Sequence, residues 1–255
     1  MSIPDLSLRG KVAIVTGAKR GMGKAIALGL AEAGADVAVC SRVEDGGLKT
    51  VAEEIRKLGR RSLVVQADIS RKAEVEAMVQ QVMAEFGVID ILVNNAAIGI
   101  RSPMLEVTEE NWDKEINTNL KGYFLCSQAV AKHMVAQKKG NIINMASQLS
   151  FKAMSPLGVY CISKAGVAML TRVMARELGP YNVRVNAIAP AMVKTEFNRR
   201  TWSNPELMQK IDAAVPLGGR VGLPEDVVGT ALFLASDASS YITGHYILVD
   251  GGTNA

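Results

Sequence analysis

A tyrosine and a lysine stand four residues apart in the run YCISK, Tyr160 and Lys164. The stretch from about 156 to Gly179 has a helical pattern, and on a helix positions i and i+4 share one face. A phenol with a pKa of about 10 is a poor proton donor or acceptor at neutral pH. An ammonium beside it stabilises the phenolate and brings it towards the range of general acid–base work. Ser147 closes the apolar run NIINMAS, so its hydroxyl falls at the C-terminal end of a strand, where α/β sheets place ligands. There it can polarise a carbonyl oxygen. Asn119, on the helix before that strand, is placed to hold a water that relays protons to Lys164. The four residues predict proton transfer at a carbonyl or alcohol oxygen.

A second constellation lies near the N-terminus. TGAKRGMG follows the apolar run VAIVT and leads into a helical stretch that stops at Gly34. Gly17, Gly21 and Gly23 permit positive φ and close backbone approach, so a pyrophosphate can rest on the amides and positive dipole of the helix N-terminus. A turn made only for packing is the alternative. At the end of the second apolar run, where a carboxylate would bind the ribose 2′-hydroxyl of NAD, stand Ser41 and Arg42. A hydroxyl and a guanidinium suit a 2′-phosphate, and Lys19 and Arg20 add positive charge on that side. These residues predict NADPH over NADH. Glu44 and Asp45 follow closely, and Arg42 taken alone reads equally as a solvated loop residue.

The elements that must position these groups alternate along the chain. Seven short β-branched runs, at 12–16, 36–40, 62–66, 91–95, 141–147, 183–189 and 246–249, are continuously apolar, as in parallel strands buried on both faces. Between them the period changes: Leu48, Val51, Ile55 and Leu58 fall on one helical stripe, as do Val75, Met78, Val79, Val82 and Phe86. This alternation predicts an α/β, doubly wound (Rossmann) fold with a seven-stranded parallel sheet, helices on both faces and residues 1–255 in a single domain. One stretch breaks the rhythm, about 191–223, with Met192, Phe197 and Trp202 among polar residues. It is expected to be a mobile lid over the site.

At this point the chain resembles the classical short-chain dehydrogenase/reductase family over essentially its whole length. Thr16 to Gly23 meet the pattern T-G-x-x-x-G-x-G, and Asn94, Asn95, Ala96 and Ala97 meet N-N-A-G. The resemblance implies a catalytic tetrad of Asn119, Ser147, Tyr160 and Lys164. Tyr160 is then the general acid or base, Lys164 lowers its pKa and binds the nicotinamide ribose, and Ser147 orients the substrate oxygen. It further implies cofactor contacts from Met22, from Asp68 and Ile69 on the adenine side, from Asn95 and Ala96, and from Pro190, Val193 and Thr195 after the sixth strand. Ala97 and Ala191 depart from the pattern, each where glycine is usual. The family's habit implies a homotetramer formed through the helical stretches 108–137 and 156–179 and the last strand.

Composition narrows the rest. The 255 residues are 49% hydrophobic, which excludes a disordered chain, and the net charge of +4 comes from dispersed basic residues, unlike a nucleic-acid-binding stripe. Cys40, Cys126 and Cys161 are widely spaced and suit a reducing compartment, and no apolar leader or membrane span is evident, so a cytoplasmic protein is expected. His133 and His245 are too few and too far apart for a metal site. Cys161 reads as a small apolar filler. The expected activity is NADPH-dependent reduction of a ketone to a secondary alcohol by hydride transfer. β-Ketoacyl thioesters, keto-sugar acids and cyclic ketones remain open as substrates, as in relatives that are 3-oxoacyl-carrier-protein reductases or glucose and gluconate dehydrogenases. A non-catalytic NADP(H)-binding sensor or scaffold is the alternative of another class.

Overall fold

A computed structural model describes residues 5–255; the first four residues of the N-terminal segment, and any reading of them, lie outside the described residues. The seven expected strands form, with ends moved by one or two residues: β1 (Val12–Thr16), β2 (Asp36–Ser41), β3 (Ser62–Gln66), β4 (Ile91–Asn94), β5 (Gly140–Met145), β6 (Val183–Pro190) and β7 (Tyr246–Val249). They make one sheet in the order β3-β2-β1-β4-β5-β6-β7, every pair parallel. The order reverses between β1 and β4, which opens a crevice at the carboxyl ends of those strands.

The continuous apolar character of the strands has a direct cause in the layers. Val12 and Ile14 of β1 face a core completed by α3 (Lys72–Phe86), α5 (Gly122–Gln137) and α6 (Gly158–Leu178). Ala13 and Val15 face the opposite core, closed by α1 (Gly21–Glu32), α2 (Gly47–Lys57) and α9 (Val228–Ala235). A strand covered on both sides has no solvent face for polar residues.

The expected helical stretch 108–137 is built from three pieces. Thr108 caps α4 (Glu109–Ile116) by accepting from Asn111 N, a π-helical turn spans Asn117–Lys121, and α5 follows without a break. Such a turn admits an extra residue and re-aims the side chains on it. Asn119 lies in its middle. The segment 191–223 is also ordered into elements: α7 (Arg199–Trp202) and α8 (Pro205–Ala213) stand on a base where Val193 pairs with Gly222. Among the described residues no helix is long and apolar enough to cross a membrane.

Candidate active site

The carboxyl ends of β1, β2, β4, β5 and β6 converge on one cleft of about 600 Å³. Every site residue expected from the sequence lines it except Asn119, which is buried behind the wall. Gly17 and Gly21 adopt positive φ (66° and 57°). A methyl group on Gly17 would lie 2.8 Å from Ala96 Cα, and one on Gly23 would collide with both Gly17 O and Asn95 Nδ2. A side chain is excluded at Gly17 by the chain that follows β4 and at Gly23 by the turn's own carbonyl and Asn95. Thr16 Oγ1 accepts from the amides of Asn95 (2.9 Å) and Ala96 (3.2 Å), while Asn95 Nδ2 donates to Thr16 O and Gly17 O (2.9 and 3.2 Å). β4 thus braces the glycine turn. Helix α1 then begins with no side-chain cap and no acidic residue in its first turn, leaving free donors and a positive dipole end on the cleft. A pyrophosphate fits this cradle.

The charges at the ribose end differ from the expectation. Lys19 Nζ is hydrogen-bonded to Asp45 Oδ2, so its charge is largely neutralised. The hydroxyl of Ser41 is engaged by its own turn, donating to Val43 O (2.9 Å) and accepting from Val43 N (3.3 Å). Arg20 and Arg42 are in no ion pair among the described residues. The positive field that favours a 2′-phosphate therefore comes from those two arginines. Asp68 is partly buried, which raises its pKa, but the Ser70 hydroxyl and amide and the charge of Arg42 outweigh burial and hold it below the ordinary value. It stays ionised. Its neighbour Ile69 packs over Gly122, at the start of α5.

At the other end of the cleft, Ser147 begins a single 3₁₀ turn, accepting from Leu149 N (3.1 Å), and Ser150 Oγ accepts from Ser147 N (3.3 Å). Ser150 donates in turn to Lys164 O (2.9 Å), tying the strand end to α6. Tyr160 is half-buried on the facing wall. Burial pushes its pKa well above the ordinary value, the neighbouring Ser147 hydroxyl opposes that rise, and the Glu115 charge adds to it. Lys164 is 1% exposed. Its Nζ donates to Met145 O (2.6 Å) and Tyr123 OH (3.3 Å) and lies 5.6 Å from the Tyr160 ring centre, without a hydrogen bond to the phenol. Burial lowers the Lys164 pKa to about 7 against the raising effect of Glu115.

The structure shows what the Asn119 side chain holds. Its side chain is fully engaged: Oδ1 accepts from Ile98 N (2.9 Å), and Nδ2 donates to Ile98 O (2.8 Å) and Ser163 Oγ (3.1 Å). It pins the loop after β4 to α6. Asn94 is likewise internal, bonded to Ser127 and Asn144. Ala97 and Ala191 line the cleft with ordinary φ, so the missing glycines impose no backbone strain.

Pro190 ends β6, and Val193 and Thr195 come from the base of the 191–223 segment. Thr195 Cγ2 would be 3.2 Å from a methyl on Gly21, so the segment closes directly over the glycine turn. Met192 and Phe197 reach the cleft, but Trp202 does not. Its Nε1 donates to Thr195 O (2.7 Å), and Lys194 and Arg199 lie over its ring at 5.2 and 6.0 Å. Trp202 anchors the segment. Cys161 packs with Leu149 and Leu157 as a filler. Arg101, Lys114, Glu115 and Tyr123 escaped the sequence reading. Arg101 and Lys114 line the cleft, and neither is in an ion pair among the described residues.

Comparison with known proteins agrees with this geometry. The model of a family described as enoyl-(acyl carrier protein) reductase matches residues 17–254. The chain is 44% identical over 253 residues to 2-dehydro-3-deoxy-D-gluconate 5-dehydrogenase of Escherichia coli (strain K12), covering 99% of this chain and 98% of the relative. It is 42% identical over 250 residues to an NAD-dependent glycerol dehydrogenase of Listeria innocua, covering 97% and 95%. A gluconate 5-dehydrogenase from Burkholderia cenocepacia, solved with NADP and tartrate, superposes with a TM-score of 0.94 at 36% identity, covering 99% and 98%. With its parallel sheet, its glycine turn and its Ser147, Tyr160 and Lys164 gathered on one cleft, the chain belongs to the short-chain dehydrogenase/reductase family of oxidoreductases.

Proposed function

We propose that the protein is an NADPH-dependent reductase that converts a ketone bearing a carboxylate into a secondary alcohol. The observation that carries this reading is the placement of Ser147, Tyr160 and Lys164 on the wall of the cleft that begins at the glycine turn. The bound nicotinamide supplies the hydride. Ser147 holds the substrate oxygen and Tyr160 gives it a proton. Lys164, when charged, favours the phenolate that remains. Phe197 covers Tyr160 and keeps water from the reacting oxygen.

NADPH is favoured by Arg20 and Arg42, which are in no ion pair among the described residues at the ribose end. Solved relatives that carry NADP, such as the Burkholderia gluconate 5-dehydrogenase, support the same choice. An anionic substrate is favoured by Arg101 and Lys114 at the opposite end, and the sugar-acid dehydrogenases among the relatives are consistent with it. We read residues 1–255 as a single catalytic domain, with 191–223 as its lid and the cytoplasm as its compartment. A homotetramer is supported by the exposed stripe Ile162, Met169 and Val173 on α6 and by Phe124 on α5. A panel of keto-acids and neutral ketones, followed by NADPH absorbance, tests the reading. Turnover confined to neutral ketones would remove the anionic part, and no turnover beside tight NADPH binding would favour a sensor or scaffold.

A further inference from the structure

Two charged side chains are buried to 1% exposure among the described residues, Lys164 on α6 and Glu115 on α4. Lys164 has a role in the reaction; Glu115 has none in the steps above. It lies one turn before Asn119, and the two side chains clasp the loop after β4 at successive points. Asn119 holds both polar groups of the Ile98 backbone, and Glu115 Oε2 accepts from Ile100 N (3.3 Å). The second carboxylate oxygen, Oε1, is buried without a hydrogen-bond partner.

A neutral amide would anchor Ile100 as well. A carboxylate with a bare oxygen in a low-dielectric interior is costly unless a positive charge offsets it. Asp113 and Lys114 on the same helix, Lys121 in the π turn and Arg101 in the clasped loop are all exposed. α6, which carries Tyr160 and Lys164, packs against α4. Lys164 is the cation whose charge acts on Glu115, and Glu115 is the carboxylate whose charge acts on Lys164.

We propose that Glu115 is a positioning residue of the reaction: it fixes the substrate-side loop through Ile100 and supplies the buried negative charge that keeps Lys164 an ammonium while Tyr160 acts as the acid. The proposal rests on the reading of Tyr160 and Lys164 given above. Burial lowers the Lys164 pKa to about 7 and raises that of Glu115 to about 7, and each charged form favours the other. Without the carboxylate, burial alone acts on Lys164, and its proton is lost at lower pH. The Ile100 anchor and the electrostatic role are separable because glutamine keeps the acceptor and removes the charge.

The test is the pH profile of kcat/KM for ketone reduction by wild type and Glu115→Gln. The alkaline limb of the variant is expected to move to lower pH by about one unit. Its loss relative to wild type then grows to about tenfold between about pH 6 and pH 8. An equal loss at every pH, with the limb unmoved, would mean that Glu115 only holds the loop and would overturn the proposal. Infrared titration of the cofactor-free protein gives a second readout. A protonated-carboxyl band that titrates near neutral pH in wild type, and is missing in Glu115→Gln or shifted in Glu115→Asp, supports the assignment. A protonated Glu115 band that persists above about pH 8 in wild type would mean that the buried charge is missing where Lys164 titrates, and overturns the proposal even if the glutamine variant does not fold. A wild type that reduces no ketone defeats the preceding reading instead, and the infrared result still decides the charge state of Glu115.

Discussion

The ring of Phe197 lies 5.5 Å from the ring of Tyr160, inclined at 45°. Phe197 comes from the segment that closes over the cleft, and its edge fills the space beside Gly99, where a methyl group would lie 2.6 Å from Cζ. The proton donor therefore has an apolar side chain of this segment beside it, half exposed in the cleft. Phe197→Ala is expected to raise KM for the ketone by about tenfold, through lost apolar contact, and to leave NADPH affinity within a few-fold. Steady-state kinetics with a binding titration check this. An unchanged KM would mean that the ring does not meet the substrate.

Cofactor preference follows from which charges are free. Arg42→Ala is expected to lower the ratio of kcat/KM for NADPH over NADH by about ten- to a hundredfold, the scale of one charge-assisted contact. Asp45→Asn releases Lys19 from its partner and is expected to raise that ratio. If both variants keep the wild-type ratio, the discriminating charges lie elsewhere.

The strands were legible because a sheet covered on both faces leaves an apolar run with no polar alternation, as in Val12–Thr16. The glycine turn was legible because backbone packing excludes Cβ at Gly17 and Gly23. Local spacing also found Tyr160 and Lys164, which share a helix. What escaped depended on pairings across the fold. Lys19 and Asp45 are 26 residues apart, and nothing in either local pattern shows that they neutralise each other. Glu115 stands among polar neighbours in EENWDKEI and reads as a surface residue until α6 packs over it. Trp202 looked like a pocket residue because an aromatic in a polar stretch seeks apolar contact. It lies instead away from the cleft lining, under Lys194 and Arg199, with its ring N–H on Thr195 O.

Arg101 and Lys114 give the substrate end its positive charge. Arg101 Nη2 donates only to the Thr201 hydroxyl (3.2 Å), leaving its other donors free for an anion. Arg101→Gln is expected to raise KM for a keto-acid by about tenfold or more and to change that for a neutral ketone little. Equal effects on both substrates would place Arg101 in lid packing rather than in recognition.

Lys164 trades stability for chemistry. Its folded pKa of about 7 lies below its ordinary value of 10.5, so between those values the unfolded chain binds the extra proton. Stability from this group is therefore lowest below about pH 7 and rises as pH increases towards 10.5. Lys164→Met is expected to lose turnover and, at about pH 6, where Glu115 without its cation is neutral, to be more stable than wild type by about 1–2 kcal/mol. Thermal unfolding across pH checks the sign. A variant less stable at low pH would show that the Met145 and Tyr123 contacts outweigh burial of the charge.

The central claim is that Tyr160 passes the proton in an NADPH-dependent ketone reduction, and Tyr160→Phe isolates it by removing one oxygen. Following NADPH absorbance with a keto-acid, the account predicts a fall in kcat of about 10²–10⁴-fold, with NADPH affinity preserved. Turnover retained within a few-fold of wild type would contradict it.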